Sequence, residues 1–362
     1  MSSVVRNGVS FPERSTQLNL PSIDKYKLAT PAKDPLGKRW FLQIAQRIKE
    51  NETLFRLFVC TFRVLQRVGL NVSPNHFYWP IPDLNELEGR EWPIYLGPGC
   101  DLRLDKQLGF IQHVVSEYVG ECDFGEEPGS NSDYHFNNGF FETIDAEVAH
   151  SMLRHYKPAR VIEIGSGYST RVLARAMQIN REFDGVEGEL LTIDPHPERL
   201  PLAGMEKFVT CLQQRVQDVD LDVFRSLRSG DVLFIDSSHV VGVGSDVVRE
   251  YLEILPALHP GVVIHIHDIF LPSDYPRRAV LHNLCFWSEQ YLLQAFLSFN
   301  SSFQVLWASS AMQFFHANFL ERYFPRWKHS YRSMPHSKRR FIPSIDHERV
   351  WPSSFWIRRC GA

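Results

Sequence analysis

The chain has 362 residues, of which 44% are hydrophobic and 22% charged, with a formal charge of −3. This composition fits a globular protein and excludes a chain disordered throughout, and the scattered Gly and Pro residues exclude a collagen-like or low-complexity one. At roughly 150 residues per domain, the length points to about two domains, or one with large additions.

The near-neutral total does not announce a nucleic-acid binder. The charge is uneven, however: residues 321–362 hold ten Lys/Arg against three Asp/Glu. That flank reads as a solvated basic face or as a wall for an anionic substrate. No apolar run of about 18 residues is present, so no transmembrane segment is expected. The opening MSSVVRNGVSFPERS has no apolar core of signal-peptide length. Six cysteines at 60, 100, 122, 211, 285 and 360 form no C-x-x-C pair. Reduced thiols and a cytoplasmic setting are the expectation.

In chain order, residues 1–38 are polar and punctuated by proline, and read as a loose arm. Trp40, Ile44, Ile48, Leu54, Leu57, Phe58, Phe62 and Leu65 recur at helical spacing with basic residues between them. That stretch reads as a helix docked on its own protein, with a membrane-surface helix as the alternative. HFYWPIPDL, residues 76–84, is an aromatic loop that its prolines keep from being helical. Residues 101–120 predict a helix and residues 121–139 a loop; together, residues 39–133 make an N-terminal helical cap.

From Ala146 the texture changes. A helix over 146–156 leads into strands predicted at Arg160–Ile164, Leu190–Ile193, Phe208–Leu212, Asp231–Ile235, Val262–Ile266, Phe303–Trp307 and Ser354–Arg358. Helices predicted at Thr170–Ile179, Val219–Leu227, Ser245–Leu258 and Trp287–Phe299 alternate with them. This rhythm predicts an α/β fold with a doubly wound, mostly parallel seven-stranded sheet. The core spans residues 134–310, residues 311–350 are a basic insertion or lid, and residues 351–362 return to the sheet.

Four motifs carry chemistry. In VIEIGSGYST, residues 161–170, a buried strand ends in Glu163 and turns through Gly165, Ser166 and Gly167 into a helix. Glycines there let a ligand approach the backbone closely, beside free N–H groups of the helix start. A dinucleotide fingerprint would need glycine where Thr170 stands, and Glu163 suits a cationic ligand better than a pyrophosphate. In LLTIDPHP, Asp194 ends the second strand, in position for the two hydroxyls of a ribose. Gln217 and Asp218, after the third strand, are placed to reach an adenine edge.

DVLFIDSSH delivers Asp236 to the carboxyl edge, with His239 three residues on; GVVIHIHDIF delivers His267 and Asp268 from the next strand. Asp236, His267 and Asp268 form a set suited to a divalent ion, whereas His265, one step deeper, reads as a core histidine. His239 titrates near neutrality in its ordinary state and is the candidate base. Tyr134, Asn137 and Asn138 in DYHFNNGFF, and Tyr275 in IFLPSDYP, are candidate pocket residues; a turn built on the two asparagines is the alternative.

Together these motifs resemble the class I S-adenosylmethionine-dependent methyltransferases. Within them, I-D-S-S-H and H-D-I-F are similar to the methyltransferase-24 group. The resemblance implies that Glu163, Gly165 and Gly167 line the methionine end of S-adenosylmethionine and that Asp194 holds its ribose. It implies FWIRR as the antiparallel last strand. The spacing of Asp236 and His239 resembles the D-x-x-K of metal-assisted catechol O-methyltransferases, with His239 in place of the lysine and His267–Asp268 in place of Asp-Asn. The expected reaction is therefore methyl transfer to a small-molecule hydroxyl assisted by a divalent metal such as Mg2+, with Asp236 and His239 catalytic and a role in secondary metabolism. C- or N-methylation, non-methylating use of the cofactor and a non-catalytic binding module are the alternatives. Monomer and homo-oligomer both stay open.

Overall fold

The computed structural model describes residues 51–73, 80–92, 99–127, 134–197, 208–327, 345–346, 349–350 and 352–361. The expected arm over 1–38, the first part of the expected helix from Trp40, residues 76–79 of the aromatic loop and the middle of the basic insertion lie outside the described residues. By packing the chain divides into Met1–Trp79 and Pro80–Ala362. Among the described residues no helix is long and apolar enough to cross a membrane.

In the first unit, helix α1 (Glu52–Arg67) starts at Asn51, whose side-chain oxygen accepts from the backbone N–H of Thr53 and Leu54 at 3.1 Å each. Satisfying these otherwise unpaired donors contributes about 1 kcal/mol to the helix.

In the second unit, α2 (Leu84–Glu88) and α3 (Leu104–Phe110, running on through a π-turn over Ile111–Val115) precede α4 (Asp145–Tyr156). Then follow β1 (Arg160–Ile164), α5 (Tyr168–Asp184), β2 (Glu189–Ile193), β3 (Val209–Leu212), α6 (Leu221–Arg225) and β4 (Val232–Ile235). Helix α7 begins at Asp246–Arg249 and continues through a π-turn at Glu250–Ile254. The chain ends with β5 (Val263–Ile266), α8 (Arg277–Leu281), α9 (Glu289–Leu297), β6 (Phe303–Ala308), α10 (Ser309–Tyr323) and β7 (Phe355–Arg359). A two-residue ladder pairs Ile345–Asp346 with Arg349–Val350.

The sheet has seven strands in the order β3-β2-β1-β4-β5-β7-β6. β7 is antiparallel to both neighbours; the pairs from β3 to β5 are parallel. The expected doubly wound α/β sheet and its reversed last strand are thus both present. The central strands are apolar runs buried on both faces, as parallel strands under helices must be. Alternate residues feed two cores. Ile162, Ile164, Leu233, Ile235, Ile264 and Ile266 pack with α6, α7 and α9, while Val161, Val232, Phe234 and Val263 pack with α3, α4, α5 and α10.

Helix α10 departs from the sequence reading. The beginning of the expected insertion is a packed helix with Ala311, Met312 and Leu320 fully buried. The run of aromatic and polar residues there hid an apolar stripe that the helix turns inward.

Candidate functional site

The parallel ladder continues one residue beyond each strand. Gly165 N–H donates to Ile193 O at 3.0 Å, Asp194 N–H to Leu212 O at 3.1 Å, Asp236 N–H to Ile164 O at 2.9 Å and His267 N–H to Ile235 O at 2.9 Å. Those bonds set Gly165, Asp194, Asp236 and His267 in one row along the carboxyl edge, where open α/β sheets take ligands.

Gly165 has φ +89°, and a Cβ there would lie 2.2 Å from the carbonyl oxygen of Asp236. Only glycine lets β1 turn so close to β4. A Cβ at Gly167 would meet nothing within 4 Å, so the turn keeps an open face beside it. Beneath the turn, Glu163 is fully buried and accepts hydroxyl hydrogen bonds from Ser169 and Thr170, each at 2.7 Å. Burial lifts its carboxyl to about 8 against those two bonds, and the charges of Asp236 and Asp194 push the same way. Asp194 accepts from the Ser166 hydroxyl at 2.6 Å and from His196 N–H at 2.7 Å. The structure thus brings Glu163, Gly165, Ser166, Gly167 and Asp194 together. Gln217 donates to Gly244 O at 3.2 Å, in the loop after β4. Asp218 is exposed and bound to the Arg215 guanidinium at 2.8 and 3.0 Å, which holds its carboxyl low.

The second cluster lies after β4 and β5. His239 Nε2 is 3.4 Å from Asp236 Oδ1 and 3.5 Å from Asp268 Oδ2. His239 and Asp268 both hold positive φ, +60° and +54°, so the backbone carries strain where these side chains meet. Burial opposes a charge on His239, yet Asp236, Glu289 and Asp268 outweigh it and raise the imidazole well above its ordinary value. Burial pulls Asp236 upward, but His267 and His239 outweigh that and hold it low.

The expected ion set is not assembled. His267 reaches no closer than 3.9 Å to Asp268, and its ring lies against Phe141 and His265. His239 lies within 3.5 Å of both carboxylates, and among the described residues no three His, Cys, Asp or Glu side chains are arranged to hold a metal. His265 is a core histidine, stacked on Phe234 and hydrogen-bonded to the Ser354 hydroxyl at 2.9 Å. The reading of His239 as titrating near neutrality is also corrected: sequence cannot show that three carboxylates surround it.

The four pocket candidates face inward. Tyr134 OH donates to Phe141 O at 2.7 Å, and buried Asn137 donates to Glu127 at 3.0 Å. Asn138 donates to His135 O and Phe141 O at 2.7 Å each and accepts from Phe140 and Phe141 N–H at 2.8 Å each, which is the turn reading. Tyr275 OH accepts from Gln290 N–H at 3.0 Å. The Tyr134 hydroxyl and the Asn137 and Asn138 amide N–H groups are thus bonded within the scaffold.

Sequence reasoning missed the acids behind His239. Glu289, fully buried, lies 2.8 Å from His239 Nδ1 through Oε2 and accepts from Tyr251 OH at 3.1 Å through Oε1. Glu250, also fully buried, accepts from the Ser237 hydroxyl at 3.1 Å. In WSEQYLLQAF, Glu289 reads as a solvated helix-start acid, and no local signal marks it as buried.

A family model described as a methyltransferase domain matches residues 162–269. A protein of Archaeoglobus fulgidus, itself uncharacterised, is 35% identical over 173 residues, covering 45% of this chain and 76% of its own length. Two crystal structures with SAH bound are similar at 16% identity, each with 56% of this chain and 82% of the other covered. They are the Podospora anserina methyltransferase PaMTH1, at a TM-score of 0.34, and the O-methyltransferase from Bacillus cereus, at 0.29.

Proposed function

The chain belongs to the methyltransferase-24 group of class I S-adenosylmethionine-dependent methyltransferases, and from that premise we propose that it methylates a hydroxyl of a small-molecule acceptor beside His239. The observation that carries this reading is the convergence of Asp236, His239 and Asp268 at the edge that also bears Gly165 and Asp194.

The residues present fit the cofactor. An open glycine face, a buried acid beneath it and an acid at the end of β2 suit a cationic amino-acid nucleoside. When bound, S-adenosylmethionine supplies an electrophilic methyl group on its sulfonium. Gly165 and Gly167 would admit it, Asp194 would hold the ribose diol, and Gln217 and Asp218 would lie toward the adenine end. The chain's main contribution is placement of the acceptor oxygen in line with the S–CH3 bond, an effect on the order of 7–11 kcal/mol.

The acceptor hydroxyl loses its proton as the O–CH3 bond forms. His239 Nε2 takes it once the imidazole is neutral. Because the surrounding carboxylates raise that imidazole, turnover should climb as pH rises from neutrality toward the raised value. The donors as arranged do not fit a divalent ion, so no step runs through one.

The test is transfer of labelled methyl to a panel of phenolic and aliphatic hydroxyl compounds, with and without chelator. We expect O-methyl products formed at the same rate in chelator, and a rate loss of about 100-fold or more in His239→Ala with S-adenosylmethionine affinity kept. Label on carbon or nitrogen would replace the hydroxyl reading, and a chelator-abolished rate would restore the ion. Absence of cofactor binding would end the proposal.

A further inference from the structure

His239 is gripped from one short segment, Trp287–Glu289. Its carbonyl oxygen accepts from the backbone N–H of Ser288 at 2.9 Å and of Glu289 at 3.2 Å. Its Nδ1 faces Glu289 Oε2 at 2.8 Å, and the Trp287 ring stands edge-on to it at 5.0 Å. The Ser288 hydroxyl accepts from Val241 N–H at 2.8 Å, two residues on. A bulky residue at φ +60° persists only where its surroundings over-determine it, and here four contacts do so.

Glu289 is itself fixed. It is fully buried at the start of α9, and Tyr251 OH holds its other oxygen at 3.1 Å. Tyr251 comes from the π-turn of α7, whose extra residue also turns Glu250 inward against Ser237. A buried carboxylate is costly, and solvent offers a helix-start acid a cheaper place. Retention of this one against a single imidazole points to a role at that ring.

We propose that Glu289 is the positioning residue of the site: it accepts the Nδ1–H of His239 and so fixes the tautomer and the plane of the ring, leaving Nε2 turned to Asp236 and Asp268. A carboxylate on one ring nitrogen decides which state the other presents. The inference rests on the hydroxyl-methylation reading for its purpose, but the hydrogen bond is testable without any acceptor.

The experiment uses full-length chain with 15N-labelled histidine. The Nδ1–H proton of His239, identified by its disappearance in His239→Gln, should resonate at low field and exchange slowly. It should be lost in Glu289→Leu and weakened but present in Glu289→Gln, whose amide oxygen can still accept. SAH affinity should stay within about twofold in both. With an acceptor found by the labelled-methyl panel, Glu289→Leu should lower kcat by about 10–100-fold at unchanged KM, and Glu289→Gln should recover part of the loss. An Nδ1–H signal unchanged in Glu289→Leu overturns the proposal, as does full kcat in that variant. Should Glu289→Leu fail to fold, Glu289→Gln decides alone: an unaltered signal refutes the charged contact. If no oxygen acceptor is methylated, the functional reading fails while the spectra still settle the pairing.

Discussion

Binding of S-adenosylmethionine should strengthen about tenfold for each pH unit from about pH 6 up to about pH 8 and then level off. The cause is Glu163, whose buried carboxyl is lifted to about 8 and therefore holds its proton in the free chain at neutrality. A cationic ligand favours the ionised form, so binding below that value must expel a proton, at about 1.4 kcal/mol per unit. The two Oγ–H bonds from Ser169 and Thr170 are already aimed at the carboxylate and lower the cost of ionising it. Calorimetry in buffers of different ionisation enthalpy should register close to one proton released per ligand near neutrality. Glu163→Gln should flatten the pH dependence and leave weaker binding at high pH. The same linkage predicts a stability trend: the folded chain binds this proton more tightly than the unfolded chain, so its contribution is complete below the ordinary value of 4.5 and fades as pH rises through about 8. An identical slope in wild type and Glu163→Gln would remove Glu163 from the cofactor site.

The second large effect is expected at Gly165. Alanine there would place Cβ 2.2 Å from the Asp236 carbonyl oxygen and 3.2 Å from its carbon, at φ +89°. The backbone conformation alone costs about 1–2 kcal/mol. The clash adds more, because both partners are backbone and the bond from Asp236 N–H to Ile164 O, 2.9 Å long, holds them together. A total loss of roughly 4 kcal/mol or more is expected, with a matching fall in Tm and no measurable SAH binding. Gly167→Ala is the control. Its φ of 172° is ordinary extended backbone and its Cβ would enter open space, so Tm should hold while cofactor affinity falls. A Gly165→Ala chain with wild-type Tm would mean that β1 and β4 do not meet as closely as described.

The two halves of the site differ in how far sequence alone reveals them. The cofactor half is written in contiguous stretches: a strand, a glycine turn and a helix start lie within ten residues, and an acid follows the next strand. Such patterns report themselves because local backbone requirements, not distant contacts, demand them. The acceptor half is built from residues far apart. Asp236, His267 and Asp268 are legible at strand ends, and His267 interacts electrostatically with both carboxylates, but that His239 stands beside them is not legible. His267 sits next to Asp268 in sequence, and its ring turns toward Phe141 and His265. Glu289, 50 positions beyond His239, carries no local mark at all.

Strand runs, their helices, the parallel order and the row of residues past the strand ends follow from apolar periodicity and turn chemistry, which act over a few residues and leave a local trace. The tautomer partner of His239, the raised imidazole, the inward turn of Tyr134 and Tyr275, and the packed start of the last insertion depend on which groups become neighbours after folding. Electrostatic energy and desolvation scale with distance in space rather than along the chain, so only the tertiary structure decided them.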